Sequence, residues 1–189
     1  NNLLGFSISK ILEANGYDVV KTQIINDRGI HICKSMIAWK LYGNGSTPKS
    51  TGIKGDKFVG KYYVLYEEKF KSQVNELIKS GVTEKEARNT ADIFVKAKEM
   101  LINWELGDKE TFNLWEKMNS WVYDGFNITY KNLEINFDSY YYESKTYLLG
   151  KEIIDLGLEK KIFYKKNDNS IWIDLKDEGL DEKLLLRSD

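Results

Sequence analysis

Helical periodicity dominates the middle of this chain of 189 residues, and it constrains the fold more than any other feature. Apolar residues recur at helical spacing across residues 62–79, which predicts a first helix. Thr83 and Glu86 have the spacing of a capping box and predict the start of a second helix. Asp108 is placed to cap a third helix. Residues 62–130 are therefore expected to form an all-helical insertion.

The segments on either side of this helical stretch have the patterns of an α/β fold. Before it, a helical stripe leads into a β-branched run at 17–25, a turn at 26–29 and a helix that extends to Tyr42. After it, a strand-prone run at 135–142 precedes a helical segment and two short strands around a turn at 167–169. We therefore predict the α/β class. The predicted parts are 1–42 and 131–189 as two pieces of one α/β domain, 43–61 as an irregular Gly- and Lys-rich loop, and 62–130 as the insertion.

Composition restricts the class of protein and its environment. The net charge is −1 and the aromatic fraction is 13%, an ordinary balance for a globular domain with a packed interior. A single Cys excludes a disulfide framework and favours the reducing cytoplasm. No apolar run reaches the length of a membrane span, and no signal peptide is indicated. The chain starts at Asn1 rather than Met and ends just as an apolar run turns polar, so both ends are expected to be cuts.

Charge is distributed unevenly along the chain. Residues 1–60 carry eight Lys or Arg against four Asp or Glu, and residues 106–189 carry twelve against seventeen. The basic first third could face a polyanion and the acidic last third a cation. Small excesses of this kind usually mean only a solvated surface.

Motifs that would carry chemistry by themselves are weak. Residues 43–50 (GNGSTPKS) nearly match a phosphate-binding loop, but Pro48 removes a backbone N–H that such a loop needs. His31 and Cys33 are two residues apart on a predicted helix, so they point to different faces and cannot share a metal ion. Cys33 is expected to be a small buried hydrophobe. With one His in the chain, no catalytic triad or metal centre is predicted, and these residues leave the function open.

Several segments, in order along nearly the whole chain, resemble arginyl-tRNA synthetases. Residues 2–5 (NLLG) and 17–20 (YDVV) are similar to the helix and strand that follow the family's His-x-Gly-His signature. Residues 26–31 (NDRGIH) resemble the family's N/G-D-W-G-x-Q turn, and residues 55–64 (GDKFVGKYYV) resemble a loop-to-helix segment of bacterial members. Residues 130–144 (YKNLEINFDSYYYES) resemble the Y-x-x-L-x-I/V-x-F-D-x-x-x-x-E-S motif, and residues 186–189 (LRSD) resemble the start of the L-R-S-D-G-T strand. The turn departs from the family pattern, because Arg28 stands in place of Trp and His31 in place of Gln.

The resemblance implies a partial Rossmann-type class I synthetase catalytic domain with an all-helical insertion. It implies an enzyme that activates arginine with ATP and Mg²⁺ and transfers it to its cognate tRNA, which members usually require before they activate arginine. By the same resemblance, the His-x-Gly-His signature, the Lys-Met-Ser-Lys-like loop and the anticodon-binding domain lie outside these 189 residues. No catalytic residue is therefore expected in this chain, which by itself is expected to be inactive and to hold no cofactor.

Three residues are expected to belong to the arginine pocket: Glu143 from the resemblance, Asp27, and His31 from its place after a strand-to-helix turn. The Glu143 carboxylate can pair bidentately with a guanidinium, or it could instead cap the following helix together with Ser144. Asp27 could order the pocket or cap its helix, and His31 could serve the site or lie on a helix surface. Four lysines could contact tRNA phosphates or form a solvated loop: Lys49, Lys54, Lys57 and Lys61.

The alternative from a different class is a non-catalytic helical module that binds RNA or protein, built around residues 62–130. It would need a basic face studded with aromatic residues. Residues 61–105 hold eight positive and eight negative side chains, which counts against such a face. An α/β segment separated from its domain would expose sheet edges and apolar surface, so the isolated chain is expected to self-associate.

Overall fold

A computed structural model of the chain describes residues 1–186. Residues 187–189, which carry most of the LRSD segment, lie outside the described part. The described residues form two compact units, one from Asn1 to Tyr140 and one that starts at Tyr141. Helices account for most of them and the strands are short, so the chain is mostly helical with small sheets. No helix among residues 1–186 is both long and apolar enough to cross a membrane.

The first unit is built mainly from helices. In chain order its elements are α1 (Asn2–Ala14), β1 (Thr22–Ile25), α2 (Ile30–Tyr42), α3 (Pro48–Thr51), α4 (Gly55–Lys79), α5 (Glu84–Thr90), α6 (Asp92–Glu105) and α7 (Lys109–Asn132). Strand β2 (Ser139–Tyr142) comes next in the chain. The elements after it are α8 (Glu143–Glu159), β3 (Phe163–Lys165), β4 (Ile171–Ile173), a 3₁₀ helix (Lys176–Glu178) and β5 (Lys183–Leu186).

Helix α2 lies at the centre of the first unit and packs against α4, α6 and α7. Its sequence is apolar on nearly every side, as expected for a helix that is surrounded by others, and Met36 and Ala38 are fully buried. Helix α4 contributes Phe58 and Tyr66 to the same cluster, and α7 contributes Met118. Full burial of a large apolar side chain stabilises a fold by about 1.5–3 kcal/mol. This cluster therefore holds the central helices together.

Two glycines allow α4 and α7 to cross closely. A Cβ atom at Gly55 would lie 1.8 Å from the carbonyl oxygen of Trp121, and one at Gly125 would lie 2.5 Å from an oxygen of Asp56. Both distances are far below van der Waals contact, so a side chain at either position would force the helices apart. The crossing fixes α7 against the start of α4, and α7 carries the side chains that face the candidate site.

Helix α4 begins earlier than the sequence predicts. It starts at Gly55 rather than Tyr62, and α3 also lies inside the segment that was expected to be irregular. Asp56 in the first turn is favourable near the positive end of the helix dipole. Phe58 is 1% exposed, and its burial stabilises the added residues 55–61. The local pattern missed this extension because its stabilisation comes from the packing of Phe58 in the core.

The second predicted helix is in fact two helices. The helix is interrupted at Ala91, between α5 and α6. Ala91 is fully buried and its backbone is extended (φ −53°, ψ 124°). The Gln73 side chain on α4 accepts a hydrogen bond from the Ile93 N–H at 2.9 Å, which caps the start of α6 from a neighbouring helix. Sequence spacing cannot show a cap that comes from another element. The predicted cap at Asp108 is confirmed, since its carboxylate accepts the Thr111 N–H at 2.9 Å.

The predicted strand at residues 17–25 is also shorter than expected, since β1 covers only Thr22–Ile25. Just before it, the backbone of Lys21 is bound to Asp138. The Lys21 N–H donates to the Asp138 carboxylate at 2.7 Å, and the Asp138 N–H donates to the Lys21 carbonyl at 2.8 Å. This reciprocal pair joins the two ends of the first unit.

The second unit consists of α8 followed by an antiparallel sheet in the order β3-β4-β5. Phe163 pairs with Ile173, so the hairpin predicted around residues 167–169 is confirmed. Asn169 in this turn has a φ of 69°, a left-handed conformation that Asn tolerates better than most residues. A Cβ atom at Gly157 would lie 2.1 Å from the Phe163 ring, so α8 and β3 approach closely at this glycine.

Candidate functional site

Two of the residues singled out from the sequence, Asp27 and His31, lie around the turn between β1 and α2. The turn passes through Gly29, whose φ of 99° lies in the region that favours glycine. Gly29 also occupies the N-cap position of α2 and provides no side-chain cap. The interpretation of Asp27 as the cap is therefore wrong. Its side chain is 2% exposed and is bonded to α7 instead.

Asp27 receives hydrogen bonds from three side chains of α7. Trp115 Nε1 donates to the Asp27 carbonyl oxygen at 2.6 Å, and the Asn119 amide donates to the same oxygen at 3.1 Å. The Tyr123 hydroxyl donates to the carboxylate oxygen Oδ2 at 2.9 Å. These three donors follow one another at successive turns of α7, so one stripe of the helix faces the turn. Leaving a buried acceptor unpaired costs about 1–3 kcal/mol, so these bonds stabilise the turn.

A cavity of about 170 Å³ lies beside this arrangement. Its lining is mainly apolar, with Val59 and Met118 among the residues, and includes the polar Asp27, Asn119 and Tyr123. The volume is below that of typical small-molecule pockets, roughly 300–1,000 Å³, and suits a few waters or one side-chain-sized group. The cavity therefore offers one carboxylate and two other polar side chains in a mainly apolar lining.

Arg28, which replaces the family's Trp, is bound to α6. Its Nη2 lies 2.8 Å from the Glu105 carboxylate, and its guanidinium lies 5.6 Å from the centroid of the Trp104 ring. The two contacts combine an ion pair with a cation–π interaction. The substitution therefore ties the turn to α6.

His31, which replaces the family's Gln, is exposed on the first turn of α2. Its Nδ1 lies 3.4 Å from the hydroxyl of Tyr63 on α4, a long hydrogen bond. Asp27, Arg28 and His31 thus contact three different helices: α7, α6 and α4 respectively. The whole turn is positioned by the helical part of the chain.

Cys33 lies on α2 close to this turn and belongs to the buried core cluster. It is 3% exposed, and burial raises the pKa of its thiol to about 12. The sulfur therefore stays protonated at neutral pH and is a poor nucleophile and metal ligand. The prediction of a small buried hydrophobe is confirmed. Within residues 1–186, no three His, Cys, Asp or Glu side chains are grouped so that they could hold a metal ion.

Glu143 is the first residue of α8, in the second unit. The N-cap position is occupied by Tyr142, which makes no side-chain cap bond, so Glu143 does not cap the helix. A carboxylate at the first helical position is stabilised by the helix dipole. The side chain is partly exposed. It therefore offers a carboxylate that can pair with a cation such as a guanidinium.

The four lysines expected near tRNA differ in their surroundings. Lys54 precedes α4, where its Nζ lies 3.0 Å from the Asp56 carboxylate and also donates to a threonine hydroxyl of α7. Lys57 and Lys61 are exposed at successive turns of α4, and Lys49 is exposed on α3. Lys54 is therefore engaged in holding α4 to α7, while the other three side chains face solvent.

The segment that nearly matches a phosphate-binding loop forms a helix cap. The Thr47 side chain accepts the Ser50 N–H at 3.1 Å, and Ser50 Oγ accepts the Thr47 N–H at 2.9 Å, so the pair makes a capping box for α3. Trp39 Nε1 donates to the Ser46 carbonyl at 2.8 Å and holds the preceding turn. These contacts agree with the rejection of a phosphate cradle.

The sequence analysis did not single out Trp115, Asn119 or Tyr123. The one available signal is that these hydrogen-bond donors recur at helical spacing on a face that is otherwise apolar. The role of Asp138 was missed as well, although it belongs to a motif that the sequence resemblance had singled out.

Comparison with curated proteins shows that the chain is similar, over its whole length, to ligases that join an amino acid to tRNA. The amino acid in the names of these relatives is arginine. The chain is 57% identical over 189 residues to the arginine–tRNA ligases of Flavobacterium psychrophilum, Parabacteroides distasonis and Bacteroides thetaiotaomicron. The resemblance to arginyl-tRNA synthetases seen in the sequence is thereby confirmed.

The match covers 100% of this chain but only 31–32% of each of these relatives. The similarity therefore concerns about one third of an arginine–tRNA ligase. No family model matches the chain.

Proposed function

We propose that this chain is part of the catalytic region of an arginine–tRNA ligase, which activates arginine with ATP and transfers it to the tRNA cognate for arginine. The observation that carries the proposal is the 53–57% identity of the whole chain to arginine–tRNA ligases of several bacteria. The order helix, strand, turn, helix at the start of the chain supports a partial Rossmann-type domain. Residues 1–42 and 131–189 would then belong to that domain, with 43–61 as a loop and 62–130 as the helical insertion.

The arginine pocket is proposed to use Glu143, Asp27 and His31. Glu143 pairs its carboxylate with the guanidinium of arginine, a bidentate arrangement that fixes both charge and orientation. Asp27 orders the turn that precedes α2, and its burial and its bonds to α7 support this role. His31 contributes an exposed imidazole on the first turn of that helix.

ATP is proposed to enter as its Mg²⁺ complex, as a substrate of the parent enzyme. The resemblance assigns the nucleotide-activating signatures to parts of the protein outside these residues, so the isolated chain is proposed to be inactive and to hold no cofactor. The tRNA is proposed to meet the exposed ammonium groups of Lys49, Lys57 and Lys61, whereas Lys54 supports the start of α4. The cytoplasm is the proposed location, where the single Cys stays reduced.

Aminoacylation by the full-length protein tests the proposal. We expect arginine alone among the amino acids to be attached to tRNA, and Glu143→Gln to raise the KM for arginine by about 10- to 100-fold, the loss of one charge-assisted pair. Glu152→Gln, an exposed residue of the same helix, is the matched control and should leave the KM unchanged.

Failure of the folded full-length protein to charge any tRNA with arginine would overturn the proposed function and favour the helical binding module. Equal KM values for Glu143→Gln and its control would remove Glu143 from the pocket while leaving the function intact. The KM for tRNA, measured at two salt concentrations with Lys57→Gln and Lys61→Gln, checks the proposed phosphate contacts.

A further inference from the structure

We infer that Trp115, Asn119 and Tyr123 of α7 are positioning residues for the proposed arginine site, and that they act through Asp27. The inference rests on the proposed function, because it takes the turn at residues 26–29 as part of that site. None of the three side chains needs to touch the substrate. Their effect is to hold the turn in one conformation.

Two of the three hydrogen bonds fill the acceptor capacity of the Asp27 carbonyl oxygen. A carbonyl oxygen has two lone pairs, and that of Asp27 accepts from both Trp115 Nε1 and the Asn119 amide. The Tyr123 hydroxyl bonds the carboxylate at 2.9 Å. Asp27 is 2% exposed and Asn119 is 4% exposed, so both residues are removed from bulk solvent.

Local structure provides little restraint at this turn. The N-cap position of α2 is Gly29, which has no side chain to close the first helical turn. The donors to Asp27 come instead from residues 88, 92 and 96 positions away in the sequence. The position of the turn therefore depends on α7 as well as on the Arg28 contact with α6, and the glycine contact between α4 and α7 fixes α7 against the start of α4.

A positioning role and a merely structural role predict different kinetics. A variant that only lowers the folded fraction reduces the amount of active enzyme, which lowers the apparent kcat and leaves the KM unchanged. A variant that lets the turn move changes the fit of arginine in every folded molecule, which raises the KM for arginine. The KM for ATP serves as an internal reference.

The test uses the full-length protein with Tyr123→Phe, which removes one hydroxyl and keeps the ring. The matched control is Tyr62→Phe. Tyr62 is 5% exposed, and its hydroxyl forms a hydrogen bond with Ser46 Oγ at 2.9 Å rather than with Asp27. Each variant loses one hydroxyl from a buried or half-buried tyrosine, so their unfolding temperatures should fall by similar amounts. Asn119→Leu, which removes a donor to the carbonyl, is the second variant.

We expect Tyr123→Phe and Asn119→Leu to raise the KM for arginine by about tenfold, with the KM for ATP unchanged, and Tyr62→Phe to leave both values as in the wild type. Wild-type KM values for arginine in both α7 variants would overturn the inference, even if their unfolding temperatures fall. A wild-type protein that does not charge tRNA with arginine would overturn the proposed function instead, so the two failures are distinguishable.

Discussion

The carboxylate of Glu182 lies between the ammonium groups of two lysines in the second unit. It accepts hydrogen bonds from Lys166 Nζ at 2.9 Å and from Lys176 Nζ at 3.1 Å. These bonds lower the pKa of Glu182 to about 2, and the bond from Lys166 has the largest effect. The Lys166 ammonium also lies 3.7 Å from the centroid of the Trp172 ring. A few side chains thus join strands β3 and β4 to the segment before β5.

This pKa predicts an acid-dependent loss of stability. The folded-state pKa lies below the ordinary value of 4.5, so the unfolded chain binds the proton more readily. The carboxylate therefore stabilises the fold fully above about pH 4.5, and its contribution is lost as the pH falls from there toward about 2. Glu182→Gln should lower the unfolding temperature near neutral pH, and the difference from the wild type should shrink through that window.

The measurement is thermal unfolding at a series of pH values. Glu159→Gln, an exposed residue at the end of α8, is the control and should differ little from the wild type at any pH. A gap between Glu182→Gln and the wild type that stays constant from neutral pH down to about pH 2 would contradict the assigned ion pairs.

Among the elements, the crossing of α4 over α7 is the contact on which the candidate site depends. Gly125→Ala would place a Cβ atom 2.6 Å from the backbone nitrogen of Asp56, an atom that cannot move without separating the helices. We expect the free energy of unfolding to fall by about 1–3 kcal/mol, as for other overpacked positions.

Gly60 provides the matched control on α4 for this prediction. A Cβ atom there meets nothing within 4 Å, so Gly60→Ala should raise the free energy of unfolding by about 0.5–1 kcal/mol through the better helix propensity of Ala. Urea unfolding of the two variants measures both changes in the free energy of unfolding. If Gly125→Ala also raises the free energy of unfolding, α4 and α7 do not pack in close contact at Gly125.

Helix boundaries show which elements can be predicted from local sequence. The capping residue Asp108 was identified correctly, because a cap and its helix are neighbours in the chain. The break at Ala91 and the early start of α4 at Gly55 were missed, because they depend on Gln73 and on the burial of Phe58. Tertiary packing overrode the local pattern at both places.

For the whole molecule, the apolar faces of two helices are the feature with the largest consequence. On α1, Leu4 is 65% exposed and Ile11 is 62% exposed; on α8, Leu149 is 69% exposed and Ile153 is 63% exposed. Contiguous exposed apolar residues on a helix face favour association. The chain spans about 31% of the length of a curated relative, so surfaces of this kind are expected in a segment studied alone.

We therefore predict that the isolated chain self-associates. Light scattering should give a mass above the 22.0 kDa of one chain, and Leu149→Lys with Ile153→Lys should shift it toward the monomer. Val64→Lys, which changes one exposed apolar residue on α4, is the control and should have a smaller effect. A monodisperse monomer of the wild type at high concentration would contradict the prediction.

The amino-acid sequence by itself determined the family, the helical character of the middle of the chain, the cap at Asp108 and the hairpin. These features depend on motifs and on the propensities of neighbouring residues, which are local in the sequence. Only the tertiary structure decided that Asp27 is buried and held by Tyr123, that Arg28 binds Glu105, and that Gly125 permits the helix crossing. These contacts join residues far apart in the sequence, and they exist only because α2, α4, α6 and α7 pack around one core.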